Sequence, residues 1–346
     1  MKHSFRVSAI FMAVFIFALP LNTYGQASGD ACYDASGHAV ELIDVSSGVS
    51  IEALDWGGDG YPLIFVPGFG NTAHIFDDFA FHFTPEYRVI SITRRGFGKS
   101  SWPSEGYDTA TRAADVIGVM DHLEIDSGII VGHSIAGDVL SYLGANYKNR
   151  FGGMVYLDAY DYGDKTLDSI EDRMDALVPK APPSFSVPST KRDSSSVHHW
   201  RAYLEKSEGN SYPLAEICSR HKVDSMGMIT AFNFSLEDAV PQTLSGTHEA
   251  EFEKISIPTL GIFAPLSKIW SEKDLSAMSD ENRTEAGEIE HAFESWQADQ
   301  WGRFQSRLPN SRFELLENAD HYVFISNARE TVQLMAEFAE EINDSK

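Results

Sequence analysis

Val131-Gly132-His133-Ser134-Ile135-Ala136-Gly137 is the stretch on which the fold is read. The apolar run Ile129 to Val131 leads into it, and Val139, Leu140, Leu143 and Tyr147 follow at helical spacing, so a strand turns sharply into a helix. A serine at the apex of such a turn sits in strained backbone, and only small residues two positions before and after it clear its side chain. Gly132 and Ala136 meet that demand. The helix that begins there aims its free N–H groups and the positive end of its dipole at the serine, which favours a negative oxygen.

Outward from this turn the same grammar repeats. Leu63 to Val66 runs into Pro67-Gly68-Phe69-Gly70, and Arg88 to Ile92 runs into Arg94-Arg95-Gly96-Phe97-Gly98. Further short apolar strands are expected at Met154 to Leu157, Thr259 to Phe263 and Phe313 to Leu316, after an N-terminal hairpin of Ala39 to Asp44 and Val49 to Asp55 around Ser46-Ser47-Gly48. Between them lie helical patterns, one capped by Asp108, another with Ile289, Phe293, Trp296, Gln300, Phe304 and Leu308 on one face. Strands alternating with helices predict an α/β fold with a mostly parallel sheet flanked by helices, whose ligands bind at the C-terminal strand ends. The interval from Leu157 to Thr259 is far longer than one crossover helix requires, so it is expected to hold a helical cap inserted after the sixth strand. The expected organisation is a core of residues 28–162 and 254–346 with a cap or lid over 163–253.

Lys and Arg number 27 against 51 Asp and Glu, a formal charge of −24 over 346 residues. Such a chain repels phosphate backbones and anionic bilayers, which excludes nucleic acid as a partner and leaves a small molecule. Lys2, His3 and Arg6 precede an apolar stretch from Val7 to Leu19 and a small-residue exit ending at Ala27, the pattern of a secretory signal peptide over residues 1–27. The product is then secreted or periplasmic, with no stable membrane anchor after cleavage, its oligomeric state left open. Export permits a disulfide, and Cys32 and Cys218 either pair or stay free. Asn233-Phe234-Ser235 and Asn282-Arg283-Thr284 are glycosylation sequons if the host uses them.

A serine hydroxyl needs a base, and the base a third group to fix its tautomer. His321, in the polar loop Asn318-Ala319-Asp320-His321-Tyr322 after the last strand, can reach Ser134 from the same sheet edge. His133 is the variable position of the turn, and His198-His199 has no metal-spaced partner.

With these residues the chain resembles the α/β-hydrolase family, on Gly132-His133-Ser134-Ile135-Ala136-Gly137, Pro67-Gly68-Phe69-Gly70, Arg95-Gly96-Phe97-Gly98-Lys99-Ser100 and Asp320-His321. The resemblance implies an eight-stranded sheet, Ser134 as nucleophile, His321 as base, and an oxyanion hole from the backbone N–H groups of Phe69 and Ile135. The family commonly carries its acid after the strand matching Thr259 to Phe263, but that loop reads Ala264-Pro265-Leu266-Ser267-Lys268 and has no carboxylate. Some members, certain haloalkane dehalogenases among them, use an acid after the preceding strand, and Val155-Tyr156-Leu157-Asp158-Ala159-Tyr160-Asp161 is similar to that arrangement. The expected acid is Asp158, with Asp161 and Asp274 as alternatives. Serine where dehalogenases of similar fold carry Asp implies an acyl-enzyme, hence hydrolysis of a small, hydrophobic ester with no cofactor or metal. An aminopeptidase or amidase would use the same triad, with the cap's Glu205, Glu208, Glu216, Asp224, Glu237 and Asp238 as candidate amine partners or simply a solvated face. A non-catalytic ligand-binding protein on a hydrolase scaffold is the alternative from another class.

Overall fold

The computed structural model describes residues 32–178, 195–235, 237–266 and 268–344, so the expected signal peptide and most of the Pro/Ser-rich stretch of the insertion lie outside the described residues. The strands are β1 (Ala39–Ser46), β2 (Val49–Gly57), β3 (Leu63–Val66), β4 (Val89–Thr93), β5 (Gly128–His133), β6 (Phe151–Leu157), β7 (His221–Val223), β8 (Ile229–Phe232), β9 (Thr259–Phe263) and β10 (Ser311–Leu315). Eight of them form one sheet in the order β1-β2-β4-β3-β5-β6-β9-β10. β2 pairs antiparallel with β1 and with β4, and every other neighbour in this sheet is parallel.

The helices are α1 (Asp77–Ala80), α2 (Thr109–His122), α3 (Ala136–Asn146), α4 (Thr166–Leu177), α5 (Val197–Glu208), α6 (Leu214–Arg220), α7 (Ala239–Ser245), α8 (Glu272–Ala277), α9 (Asp280–Arg307), α10 (Val323–Ser326) and α11 (Ala328–Asp344). Strand periodicity sends alternate side chains to opposite faces, so Ile64, Val66 and Ile130 join one core with Val116, Val139, Leu140 and Phe304. Leu63, Phe65, Ile129 and Val131 join the other with Phe76, Phe79, Phe324 and Phe338. Asp108 caps α2 as expected, its carboxylate accepting the Thr111 N–H at 3.0 Å. Buried ion pairs fix α2 to its neighbours: Arg95 of the turn after β4 grips Asp115 with two bonds of 2.6 and 2.5 Å, and Arg112 reaches Asp138 of α3 at 2.7 Å.

Between β6 and β9 the chain carries α4, α5, α6, the β7–β8 ladder and α7, so the insertion is not purely helical. Its first helix explains why α9 is so long. Ile289 and Phe293 in the N-terminal half of α9 pack on Leu167, Ile170 and Met174 of α4, while Phe304 near its C-terminus packs on the sheet. The apolar stripe read on one face of this helix therefore serves two cores. Cys32 and Cys218 are joined in a disulfide with Cα atoms 5.8 Å apart, tying the N-terminal tail to α6.

Candidate active site

Ser134 sits between β5 and α3 with φ of 56°, the left-handed region that an L-residue occupies at a cost of about 1–3 kcal/mol. Its amide donates to the Leu157 carbonyl at 3.2 Å and its carbonyl accepts from Gly137 at 3.0 Å, so both flanking strands and the helix hold the strained residue in place. A Cβ on Gly132 would lie 2.5 Å from Leu140 Cδ1 and 3.1 Å from the Ala136 Cβ, which is why small residues flank the serine. Ser134 Oγ is buried and satisfies no hydrogen bond among the described residues. The Tyr162 hydroxyl is its polar neighbour, close enough to interact but outside hydrogen-bond geometry.

Asp158 follows β6 directly, also with positive φ, 42°. Its amide donates to Ile262 of β9 at 2.7 Å, which turns the side chain above the strand ends. One carboxylate oxygen, Oδ2, accepts from His321 Nδ1 at 2.7 Å. The other accepts from the Tyr160 hydroxyl at 2.5 Å and from the Ala264 N–H at 3.0 Å. An acceptor at Nδ1 keeps the proton there and leaves the Nε2 lone pair of His321 free to take one. Asp161 is spent elsewhere: Arg303 donates to it at 2.8 Å and Gly163 N–H at 3.1 Å. Asp274 closes a capping box with Ser271 at the start of α8. The alternative acids are thus not brought to His321.

The Pro67–Gly70 turn passes directly over the serine: a Cβ on Gly68 would lie 3.0 Å from Ser134 Cβ and 2.7 Å from His133 Nδ1. The Gly68 carbonyl accepts from Arg94 Nη2 at 2.6 Å and from Asn71 N–H at 3.3 Å. In a trans peptide the Phe69 N–H points opposite to the Gly68 carbonyl, so this clamp sets the direction of that N–H. Ile135 stands at the N-terminus of α3, where backbone N–H groups lack partners within the helix. Arg94 is buried, its charge disfavoured first by that burial and next by Arg112, and its guanidinium lies 4.9 Å from the Phe97 ring centroid.

A family model for the alpha/beta hydrolase fold matches residues 61–199. Among solved structures, E-2-(acetamidomethylene)succinate hydrolase superposes with a TM-score of 0.62 at 19% identity, covering 88% of this chain and 99% of that one. The fold is that of the alpha/beta hydrolases. A non-heme chloroperoxidase of Streptomyces lividans is 35% identical over 120 residues, 34% of this chain and 44% of that protein. A bifunctional esterase/perhydrolase of Acinetobacter calcoaceticus is 33% identical over 109 residues, 31% of this chain and 40% of that protein. The chain therefore spans less than half the length of these curated relatives.

Several residues that shape the site carry no motif of their own. The loop after β9 lacks a carboxylate but supplies the Ala264 N–H to Asp158. Gln297 of α9 donates to the Tyr160 hydroxyl at 2.8 Å and to the Ala264 carbonyl at 3.1 Å, fastening both groups that hold Asp158. His133, expected only as a variable position, is a strut: its Nε2–H donates to the His321 carbonyl at 2.9 Å, and its ring lies 4.6 Å from that of His321. Burial, and then the charge of His321, hold its pKa well below the ordinary imidazole value, so it stays neutral. Glu216 of α6 is fully buried and accepts from Asn71 Nδ2 at 2.8 Å and Thr72 Oγ1 at 2.5 Å, burial raising its pKa against these bonds. The Tyr322 hydroxyl donates to Asn71 Oδ1 at 3.2 Å, so one network joins the His321 loop, the Gly68 turn and the insertion. Glu216 is therefore not an amine receptor, and Asp224 is likewise occupied, accepting the Met226 and Met228 N–H groups at 2.9 Å.

Proposed function

We propose that this chain is an exported serine hydrolase that cleaves a small, hydrophobic ester through an acyl-enzyme on Ser134. The observation that carries the reading is the 2.7 Å bond between His321 Nδ1 and Asp158, at the same sheet edge as a serine in left-handed backbone. In this mechanism Ser134 Oγ attacks the ester carbonyl while His321 Nε2 takes its proton, and Asp158 stabilises the resulting imidazolium. The negative oxygen is met by the N–H groups of Phe69 and Ile135, each worth about 3 kcal/mol in the transition state. His321 then protonates the departing alcohol, and water, deprotonated by the same nitrogen, releases the acid and restores Ser134. The reaction needs no cofactor.

Residues 163–253 act in this reading as the cap over a core of residues 28–162 and 254–346. The preference for an apolar substrate is supported by half-buried Phe69, whose ring lies 5.6 Å from Phe97, itself 5.6 Å from Phe234 of the insertion. Export through a signal peptide at residues 1–27 is supported by the Cys32–Cys218 disulfide, a bond that persists in oxidising compartments. The commitment of Glu216 and Asp224 to backbone and side-chain donors weighs against the aminopeptidase alternative.

The test is a panel of p-nitrophenyl acyl esters and aminoacyl p-nitroanilides with the wild type and Ser134→Ala. Ester turnover that vanishes in the variant is expected. Turnover near wild type in Ser134→Ala, or tight ligand binding with no fluorophosphonate labelling of Ser134, overturns the proposal. Hydrogen peroxide belongs in the panel as a competing acyl acceptor, since one relative bears the name perhydrolase.

A further inference from the structure

Away from the serine, Asp34, His38, His74 and Asp77 turn four ligand atoms toward one point, all within 4.8 Å of one another. His38 Nε2 lies 3.0 Å from Asp34 Oδ2 and 3.4 Å from Asp77 Oδ1, and His74 Nδ1 lies 3.5 Å from Asp34 Oδ2 and 3.1 Å from Asp77 Oδ2. Bonds of about 2.0–2.1 Å to a tetrahedral metal place neighbouring ligand atoms about 3.3 Å apart, an edge near the His38–Asp34, His38–Asp77 and His74–Asp34 separations, with Asp77 turning one oxygen toward each imidazole. The His38 side chain is 2% exposed, yet neither ring nitrogen achieves hydrogen-bond geometry, and Asp77 Oδ1 is likewise buried and unsatisfied. A purely hydrogen-bonded cluster would leave those atoms uncompensated at about 1–3 kcal/mol each. A dication would meet His38 Nε2 and a carboxylate oxygen of Asp77, and it would neutralise the two carboxylates.

We propose that Asp34, His38, His74 and Asp77 form a tetrahedral divalent-metal site whose preferred occupant is zinc. Two imidazoles and two carboxylates suit a borderline transition metal, whereas calcium and magnesium demand six or more oxygen donors. The second nitrogen of His74 faces Glu52 Oε1 at 3.9 Å, the carboxylate orientation that ligating histidines commonly have behind them. Two ligands come from the tail that follows Cys32, and two from the segment directly after Thr72, next to the Gly68 turn. The metal would thus be a second cross-link beside the Cys32–Cys218 disulfide, pinning the tail to the segment that leads out of the oxyanion turn. Neither pair is a metal motif alone, which is why the sequence, read for CxxC and clustered histidines, predicts no metal.

Tag-free purified protein is stripped with EDTA, loaded with zinc chloride, freed of excess by gel filtration and assayed by elemental mass spectrometry, with thermal melts alongside. One equivalent of zinc is expected, with a rise in Tm of about 5 °C at a hundredfold excess over the dissociation constant. His38→Ala and Asp34→Asn should each lose the retained zinc and the Tm increment; Asp34 is the most exposed ligand, so its variant is the one whose folding, followed by circular dichroism, is least at risk. No zinc retained by the loaded wild type, zinc retained undiminished by both variants, or calcium retained in its place would overturn the proposal.

Discussion

The backbone N–H of Ala264 donates to Asp158 Oδ1 at 3.0 Å, so the loop that lacks a carboxylate still serves the carboxylate one strand away. Three donors, Tyr160, Ala264 and His321, surround Asp158, and each gives it a hydrogen rather than accepting one. Asp158→Asn must therefore turn its NH2 toward one of them, and at Oδ2 it would force the wrong tautomer on His321. A fall in kcat of about 10³–10⁴-fold is expected, with the fold retained. Asp161→Asn should leave kcat within a few fold but lower the unfolding free energy by about 2 kcal/mol, because Arg303 loses a buried partner. Steady-state kinetics and urea melts on the two variants check the contrast, and equal kinetic effects would reassign the acid.

The architecture was legible because hydrophobic periodicity and turn chemistry are local. Val131 to Gly137 specifies a strand, a strained serine and a helix from within seven residues, and repeating that unit predicts a mostly parallel sheet flanked by helices, though not the strand order. Long-range partners were not legible in the same way. Gln297 reads as a polar residue on a helix, and only folding brings it to Tyr160 and the Ala264 carbonyl. The double duty of α9 was hidden for a related reason: a stripe of apolar residues states that a face is buried, not against how many bodies. Glu216 counted as one acidic residue among several, although its burial against Asn71 and Thr72 gives it a different role.

Arg94 is expected to act as a positioning residue through the Gly68 carbonyl. Arg94→Met removes the 2.6 Å bond that directs the Phe69 N–H, and a misdirected oxyanion donor costs up to about 3 kcal/mol in the transition state. The expected result is a kcat lowered about 10–100-fold at nearly constant KM, with no loss in Tm, since a buried guanidinium without a carboxylate partner is itself costly to the fold. Arg94→Lys, which can still donate to that carbonyl, should recover part of kcat. Unchanged kcat in Arg94→Met would rule the clamp out.

Glu216→Ala strips acceptors from Asn71 Nδ2 and the Thr72 hydroxyl inside the protein. Unsatisfied buried donors of this kind cost about 1–3 kcal/mol each, so a drop in Tm of several degrees is expected. Because the same segment leads out of the Gly68 turn, ester hydrolysis should fall as well, whereas Glu205→Ala, on the exposed side of α5, should change neither. Differential scanning fluorimetry and p-nitrophenyl ester assays on both variants separate the network from a general charge effect.

His133 links the site to pH. Burial, the charge of His321 and that of Arg94 hold its folded pKa well below the 6.5 of an exposed imidazole. The unfolded chain therefore binds a proton below pH 6.5 that the folded chain refuses, and stability present above that pH is lost as it falls toward the folded pKa. At pH 5.5 the loss from this one residue is on the order of 1 kcal/mol relative to neutral pH. His133→Gln keeps a donor for the His321 carbonyl but does not titrate, so its unfolding free energy should decline less between pH 7.5 and 5.5 by about that amount. Urea unfolding of both proteins at pH 7.5, 6.5 and 5.5 measures the difference, and parallel curves would mean that His133 takes up its proton in the folded state.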